Sequence, residues 1–124
     1  MAVLVIVKGP AEDQKFSLEG QNLAMVGRDA KCSFQILDPT LSRFHMQIRC
    51  SPGRDSAIDF NSKNGVEING RKIESETQLQ EGDSISIGET TMIYSLDNSM
   101  DAKRAWETNK QFKQGYVPTI IDKS

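Results

Sequence analysis

The chain has 124 residues, of which 37% are apolar and 26% are charged, and its formal net charge at pH 7 is −2. This length suits one self-supporting domain with a short extension, and the composition is ordinary for a soluble globular protein. The lack of a basic surplus argues against bulk nucleic-acid binding, and no apolar run is long enough to predict a membrane span.

Short runs of β-forming residues follow one another from the start of the chain to about residue 96. The opening run, 3–7, has no basic stretch before it, so we interpret it as a first strand rather than a signal peptide. Gly, Pro, Asn, Asp or Ser separates each run from the next, a rhythm typical of an all-β sandwich or barrel. The predicted strands cover residues 3–7, 15–18, 23–26, 34–36, 46–49, 57–60, 66–68, 71–73, 84–87 and 91–96.

The clearest turn signal in this series is Asn69-Gly70, between two of the predicted strands. Asn and Gly both accept a positive φ, which a two-residue type I′ turn requires at its two central positions. The sequence therefore predicts a tight hairpin here.

The pattern changes after residue 96, where we expect a C-terminal extension at 97–124 beside a domain at 1–96. Polar residues at its start can cap a helix, and apolar residues then recur near one helical face. These features predict a helix at about 99–114 that docks Trp106 on the sandwich, with a solvated linker as the alternative. Pro118 favours an extended tail after the helix.

The residues that most often carry catalysis or bind metals are sparse. Cys32 and Cys50 follow no metal-ligand spacing; their number allows one disulfide, but we expect two free thiols in a reducing cytoplasm. His45, the only histidine, lies three residues after Ser42, without a recognisable orienting acid or oxyanion hole. We therefore expect no catalytic residue, no metal and no cofactor, and a structural role for the His45 ring in tying one loop to another.

Four groups of polar residues stand where the predicted strands turn, and loops on a rigid β scaffold are where binding residues usually lie. Together they offer cationic, hydroxyl and amide side chains. Such a set suits a phosphate group, because Arg donates a planar fork, Lys supplies a point charge and Ser donates a short hydroxyl bond. The groups are Gly27-Arg28, Ser42-Arg43-Phe44-His45, Asn61-Ser62-Lys63-Asn64-Gly65 and Glu81-Gly82-Asp83.

The joint spacing of these groups resembles that of the forkhead-associated (FHA) domain, over roughly residues 2–96. The resemblance implies an eleven-stranded β-sandwich whose loops at one end bind phosphothreonine peptides. Arg28 and Ser42 match residues that contact the phosphate, and Lys63 holds a position whose side chain often reaches it. Asn64 matches the residue that holds the peptide backbone, and Arg43 matches a position that often contacts the peptide.

Three further matches, Gly27, His45 and Gly65, are residues that shape these loops in the family. One position departs from the family pattern, because Val66 stands where a threonine usually follows Asn-Gly. Valine keeps the β-branched shape and lacks the hydroxyl, so we expect some loss of rigidity in this loop.

The resemblance implies a signalling adaptor module that binds phosphothreonine and has no enzymatic activity. Its expected partners are a phosphothreonine-containing protein and an upstream Ser/Thr kinase, in the cytoplasm, with no nucleic acid and no membrane. The alternative is a phosphate-independent scaffolding or oligomerisation domain of the same fold.

Thr119 is a candidate phosphosite in the tail. Asp122 follows it by three positions, and FHA domains commonly select at that position, some of them for an acidic residue. Phospho-Thr119 would then occupy the pocket of its own chain or link two chains, a self-association through the C-terminal tail. The alternatives are an ordinary linker and a strand added to a sheet edge.

Overall fold

The computed structural model describes residues 2–112 and 119–120, with the backbone alone for 111–112 and 119–120. Within these ranges, two β-sheets form a sandwich, and a helix packs on the outer face of one of them. Eleven strands lie between residues 3 and 95, which confirms the expected all-β fold. The elements are β1 (Val3–Lys8), β2 (Lys15–Ser17), β3 (Leu23–Gly27), β4 (Phe34–Gln35), β5 (Met46–Arg49), β6 (Ser56–Asp59), β7 (Glu67–Ile68), β8 (Arg71–Lys72), β9 (Thr77–Gln78), β10 (Ser84–Ile87), β11 (Thr90–Ser95), α1 (Ala102–Phe112) and β12 (Thr119–Ile120).

The strands are arranged in two sheets of six. The first sheet has the order β2-β1-β11-β10-β7-β8, and the second has the order β12-β9-β6-β5-β3-β4. The recorded strand pairs are antiparallel, apart from the parallel pair β3–β4. Because β3, β5 and β6 lie side by side in the second sheet, the loops that follow β3 and β6 and the loop that precedes β5 meet at one end of the sandwich.

The main core lies between the two sheets, where every second side chain of a strand points inward. Leu4 and Ile6 of β1 are fully buried in the same apolar cluster as Ile48 of β5 and Ile85 of β10. This shared cluster fixes the sheets against each other and gives the loops at their ends a rigid base.

The opposite face of β1 is also buried, because helix α1 covers it. Val3 and Val5 alternate with the core residues of β1 and form a second apolar cluster with Ile93 of β11 and Ala105 of α1. Burial on both faces explains why β1 is an almost continuous apolar run rather than an alternating one.

The helix packs on this sheet through small residues rather than through Trp106, so the prediction that Trp106 docks on the sandwich is wrong. Ala105 has no exposed surface, whereas Trp106 keeps 37% of its surface exposed. The Lys110 ammonium lies 5.6 Å from the centre of the Trp106 ring. An alanine at the contact lets the helix backbone approach the sheet closely, and the larger indole lies on the neighbouring, outward face.

Side chains hold both ends of α1 in place. Asp101 caps its first turn, since the Arg104 amide donates to Asp101 Oδ1 at 2.8 Å, so α1 begins at Ala102, later than expected. The Asp97 carboxylate instead closes the preceding turn by accepting from the Ser99 amide at 2.9 Å. Near the other end, Asn109 Nδ2 donates to the Gly82 carbonyl at 2.8 Å.

The predicted Asn-Gly hairpin is confirmed between β7 and β8. Asn69 has a φ of 53° and Gly70 a φ of 83°, as a type I′ turn requires at both positions. Strand β9 was not predicted, because its two residues lie in a polar stretch with no apolar alternation.

Strand β12 lies at the edge of the second sheet, where Thr119 pairs with Gln78 and Ile120 with Thr77 of β9. The tail backbone at these two residues therefore adds a strand to a sheet edge. The division of the chain at residue 96 stays a prediction. Across the described ranges, no helix has both the length and the apolar character needed to cross a membrane.

Candidate functional site

Three loops, 28–33, 36–45 and 60–66, surround a cleft of about 720 Å³, which we call the loop-end cleft. The structure brings all five predicted phosphate and peptide contact residues to this one cleft. Its lining is Arg28, Pro39, Thr40, Leu41, Ser42, Arg43, Phe44, Phe60, Asn61, Lys63 and Asn64.

Ser42 joins two of these loops. Its backbone amide donates to His45 Nδ1 at 3.0 Å, and its Oγ accepts from the Lys63 amide at 2.9 Å. A hydroxyl has one donor and two acceptor sites. The Lys63 amide occupies one acceptor site and leaves the hydroxyl proton in place. Because a phosphate oxygen accepts hydrogen bonds, this proton is the group that Ser42 can donate to it.

Arg28 lies just after β3, and a hydrogen bond at Nε fixes its side chain. Its Nε donates to the Leu41 carbonyl at 3.1 Å, and its backbone amide donates to the Ser42 carbonyl at 3.2 Å. Anchoring Nε orients the planar group, whose two terminal nitrogens form the fork that suits a phosphate.

Lys63 and Asn64 come from the loop between β6 and β7, and both are exposed. Asn64 Nδ2 donates to the Thr40 carbonyl at 2.7 Å. That bond fixes the carboxamide and makes its oxygen the atom with which Asn64 can accept a peptide N–H. Lys63 supplies a mobile point charge beside the fixed groups.

Arg43 lies at the rim of the loop-end cleft and forms an ion pair. Its guanidinium contacts Asp29 Oδ2 at 3.0 Å, with 66% of the Arg43 side chain exposed. The Lys31 amide and then the Arg43 guanidinium hold the pKa of Asp29 below its usual value. A peptide contact by Arg43 would therefore share this cation with Asp29.

The His45 ring is fully buried and links the loop before β5 to the loop after β6. Its Nδ1 accepts from the Ser42 amide, so Nε2 carries the proton and donates to the Gly65 carbonyl at 2.8 Å. In this arrangement the ring has no nitrogen left for proton transfer to a ligand.

Gly27 and Gly65 allow the loops to approach each other. A Cβ at Gly27 would lie 2.3 Å from the Arg43 carbonyl oxygen, so only glycine fits at the end of β3. Gly65 has a φ of +80°, in a region that L side chains rarely adopt.

The departure at Val66 has a structural reason. Its side chain is fully buried in the main apolar core, where a hydroxyl would need a partner. The loop before it is held by other groups, since Ser62 Oγ accepts from the Gly65 amide at 2.9 Å and Asp59 Oδ1 accepts from the Ser62 amide at 3.0 Å.

Sequence reasoning missed Asp38, which lies 1% exposed beneath the loop-end cleft. Its two carboxylate oxygens accept hydrogen bonds from Thr40 and Thr90. The available signal was Asp38-Pro39-Thr40 itself, because an Asp two residues before a donor amide is typical of an Asx turn.

A second cleft, of about 420 Å³, lies at the other end of the sandwich beside Leu18, Cys50 and Leu96, and it includes none of the predicted site residues. Both cysteines are free, and burial raises the pKa of both thiols. Within the described residues, no group of three or more His, Cys, Asp or Glu side chains is arranged to hold a metal ion.

The FHA domain family model matches residues 24–88, a stretch that contains the whole lining of the loop-end cleft. The chain belongs to the FHA domain family. In sequence, this FHA domain is 32% identical over 93 residues to the oxoglutarate dehydrogenase inhibitor of Corynebacterium efficiens, covering 75% of the chain and 64% of the inhibitor. It is also 32% identical over 98 residues to the FHA domain-containing protein PS1 of Arabidopsis thaliana, covering 76% of the chain and 7% of that protein. The chain thus spans less than two thirds of these relatives.

Solved FHA structures share the fold. A domain from a study of phosphothreonine-dependent FHA domain interactions matches with a TM-score of 0.67 and 26% identity, covering 77% of this chain and 96% of that one. The FhaA FHA domain, solved in complex with the intracellular domain of Rv3910, matches with a TM-score of 0.69 and 26% identity, covering 76% and 99%.

Proposed function

We propose that this FHA domain is a phosphothreonine-dependent binding module that holds a phosphorylated peptide in the loop-end cleft. The observation that carries the proposal is the placement of Arg28, Ser42 and Lys63 around one cleft, with Arg28 and Ser42 each anchored by a backbone group.

The chemistry of these groups matches a phosphate monoester. A phosphothreonine carries about −1.5 to −2 charges at neutral pH and presents three acceptor oxygens. The guanidinium of Arg28, the hydroxyl of Ser42 and the ammonium of Lys63 offer donors to all three. A charge-assisted hydrogen bond contributes about 1.5–3 kcal/mol, so the phosphate would supply a large share of the affinity.

The rest of the peptide would lie across the rim of the cleft. Asn64 would accept a peptide N–H with its carboxamide oxygen, and Arg43 would contact a peptide carbonyl or an acidic side chain. Loops of a β-sandwich are suited to this task, because the sheets hold them in place before the ligand arrives.

In this role the domain would act in a signalling pathway and would catalyse no reaction itself. A Ser/Thr kinase would create the phosphothreonine on a partner protein, and binding would bring that partner to the protein that contains this domain. The two free thiols support a reducing cytoplasmic location.

A degenerate peptide library centred on phosphothreonine would select a test peptide, whose phosphorylated and unphosphorylated forms are then titrated by calorimetry. We expect binding of the phosphorylated form alone. Arg28→Ala should weaken it by about 2–5 kcal/mol, whereas Arg49→Ala, which removes an exposed arginine paired with Glu76, should leave it unchanged. Equal binding of the two peptides would favour the phosphate-independent scaffolding function instead.

We also propose that Thr119 is a phosphosite that links the tail to the loop-end cleft. In the structure the Thr119 backbone pairs with Gln78, which in turn pairs with Ser56, the end of β6 farther from the cleft. Binding of phospho-Thr119 would therefore require β12 to separate from β9. The loop-end cleft of a second copy of the chain is the site that we propose for it. A peptide of residues 115–124 phosphorylated at Thr119 should bind a tail-deleted domain, and equal binding by its unphosphorylated twin would exclude the idea.

A further inference from the structure

We propose that Asp38 is a positioning residue for phosphopeptide binding, because its buried carboxylate fixes the segment 40–42 that holds the contact residues of the loop-end cleft. The proposal rests on the proposed function and extends it to a residue beneath the cleft. Asp38 would not touch the ligand itself.

Segment 40–42 is the common support of the site, since each of its residues has one oxygen bonded to a different predicted contact residue. Three consecutive residues thus set the relative positions of an amide, a guanidinium and a loop backbone. The three bonds are Asn64 Nδ2 to the Thr40 carbonyl at 2.7 Å, Arg28 Nε to the Leu41 carbonyl at 3.1 Å, and the Lys63 amide to Ser42 Oγ at 2.9 Å.

Asp38 anchors this segment from below. Its Oδ1 accepts from both the amide and the hydroxyl of Thr40, at 2.9 Å and 2.6 Å, and its own carbonyl accepts from the Leu41 amide at 3.0 Å. With 1% of its surface exposed, the carboxylate relies on these protein donors rather than on water. Removing it would leave the half-buried Thr40 donors and the buried Thr90 hydroxyl without their acceptor.

The same carboxylate connects the segment to the turn between β10 and β11. Asp38 Oδ2 accepts from the Thr90 hydroxyl at 2.7 Å, and Thr40 Oγ1 accepts from the Glu89 amide at 2.9 Å. A Cβ at Gly88 would lie 2.2 Å from Thr40 Oγ1, so the turn is pressed against Thr40. Thr40 is therefore held between Asp38 and a turn that lies outside the loop-end cleft.

The first experiment measures the affinity of the library-selected phosphothreonine peptide for wild type, Asp38→Ala and Asp38→Asn. We expect Asp38→Ala to raise the dissociation constant about tenfold or more. The loss of one hydrogen bond to a charged group, at its usual strength, corresponds to a change of at least that size in a dissociation constant. Asp38→Asn should restore most of the affinity, because its carboxamide oxygen can still accept from Thr40 and its amino group can donate to the Thr90 hydroxyl.

Asp55→Ala is the matched control. Asp55 is a half-buried acid that, like Asp38, accepts hydrogen bonds from a hydroxyl and a backbone amide, here those of Tyr94 and Ser51, but it lies at the other end of the sandwich. It should lower stability and leave the dissociation constant unchanged. If Asp38→Ala binds as tightly as wild type, the proposal is wrong.

A double-mutant cycle with Asn64→Ala distinguishes positioning from a general loss of stability. If Asp38 acts partly through Thr40 and Asn64, its substitution should cost less in the Asn64→Ala background than in wild type, whereas additive costs would overturn the proposal. Should Asp38→Ala fail to fold, Thr90→Val removes one donor to the carboxylate and takes its place in the same cycle.

The free protein provides a test that does not depend on the ligand. In ¹H–¹⁵N spectra, Asp38→Ala should move the Asn64 side-chain amide and the Lys63 backbone amide, and Asp55→Ala should not. Failure of wild type to bind any phosphopeptide would refute the proposed function, while these spectra would still decide whether Asp38 positions the segment. Unmoved Asn64 and Lys63 signals would refute the positioning role.

Discussion

At the scale of single residues, the loop-end cleft contains two kinds of side chain. The first kind faces a ligand, and the second kind holds the first in position. The Ser42 hydroxyl belongs to both, because its oxygen accepts from the Lys63 amide while its proton remains for a phosphate. His45 belongs to the second kind, since both ring nitrogens are used to tie loops together. The sequence assigned Ser42 to the first kind and His45 to the second, and the hydrogen bonds add that the Ser42 oxygen also holds the Lys63 amide.

Ser42→Ala should therefore weaken phosphopeptide binding by about 1.5–3 kcal/mol, because it removes a hydrogen bond to a charged group and frees the Lys63 amide. Calorimetry with the library-selected peptide measures the change. Ser86→Ala is the control, since Ser86 is a half-buried serine of β10 whose hydroxyl contacts Thr91. If the two variants bind equally well, the Ser42 hydroxyl has no part in the site.

At the scale of elements, helix α1 contributes to stability and lies apart from the loop-end cleft. It covers the apolar outer face of β1 and β11, and the cleft is lined by loops from other elements. The sequence predicted this helix from its apolar spacing. It could not predict which face would dock, because Ala105 and Trp106 are adjacent and only the packing distance decides between a small and a large side chain.

Ala105→Asp tests the docking face. A carboxylate at this fully buried position should displace α1 and expose Val3, Val5 and Ile93, lowering the free energy of unfolding by at least about 2 kcal/mol. Urea denaturation measures the loss. Lys103→Asp makes the same side chain at an exposed position of α1 and should change stability little, and phosphopeptide affinity should be retained in both. An unaltered unfolding curve for Ala105→Asp would contradict the docked helix.

The strands, too, were predicted only where the local sequence carries a pattern. The long strands were predicted because they have several alternating or apolar residues, as β1 and β11 do. The two-residue strand β9 carries no such pattern, since it is defined only by pairing with β6 and β12. Pairing between distant segments is a tertiary property, which local propensity does not encode.

At the scale of the whole molecule, buried ionisable groups set the pH range of the fold. Burial raises the pKa of Asp38, but hydrogen bonds from Thr40 and Thr90 outweigh it and leave the pKa below the ordinary 3.8. Burial and then the Asp55 carboxylate raise the pKa of Tyr94 far above the ordinary 10.0. A lowered acid pKa gives stability that is lost as pH falls below the ordinary value, and a raised Tyr pKa gives stability that is lost as pH rises above it.

Stability should therefore decline below about pH 4 and above about pH 10. On the alkaline side, the unfolded chain releases the Tyr94 proton while the folded chain keeps it, which favours unfolding. The difference in unfolding free energy between wild type and Tyr94→Phe should then shrink above about pH 10 and be constant from pH 6 to 9. Urea titrations across this range measure it, and a difference that stays constant up to pH 11 would contradict the buried Tyr94–Asp55 pair.

The contact residues of the candidate site were predicted more completely than the residues that hold them in place. Arg28 directly follows β3, and Ser42 and Lys63 lie in polar loops between strands, so the motif identifies them. Asp38 and Thr90 are 52 positions apart and meet only in the folded chain. The contact between Asp38 and Thr90 is therefore seen in the hydrogen bonds and not in the spacing.

The central claim, a phosphate-dependent peptide site in the loop-end cleft, is tested most directly by titrating ¹⁵N-labelled protein with the library-selected phosphothreonine peptide. The amide signals of Arg28, Ser42, Lys63 and Asn64 should shift in a saturable way, and the unphosphorylated peptide should move none of them. Shifts centred on Cys50 and the second cleft, or equal shifts with both peptides, would contradict it.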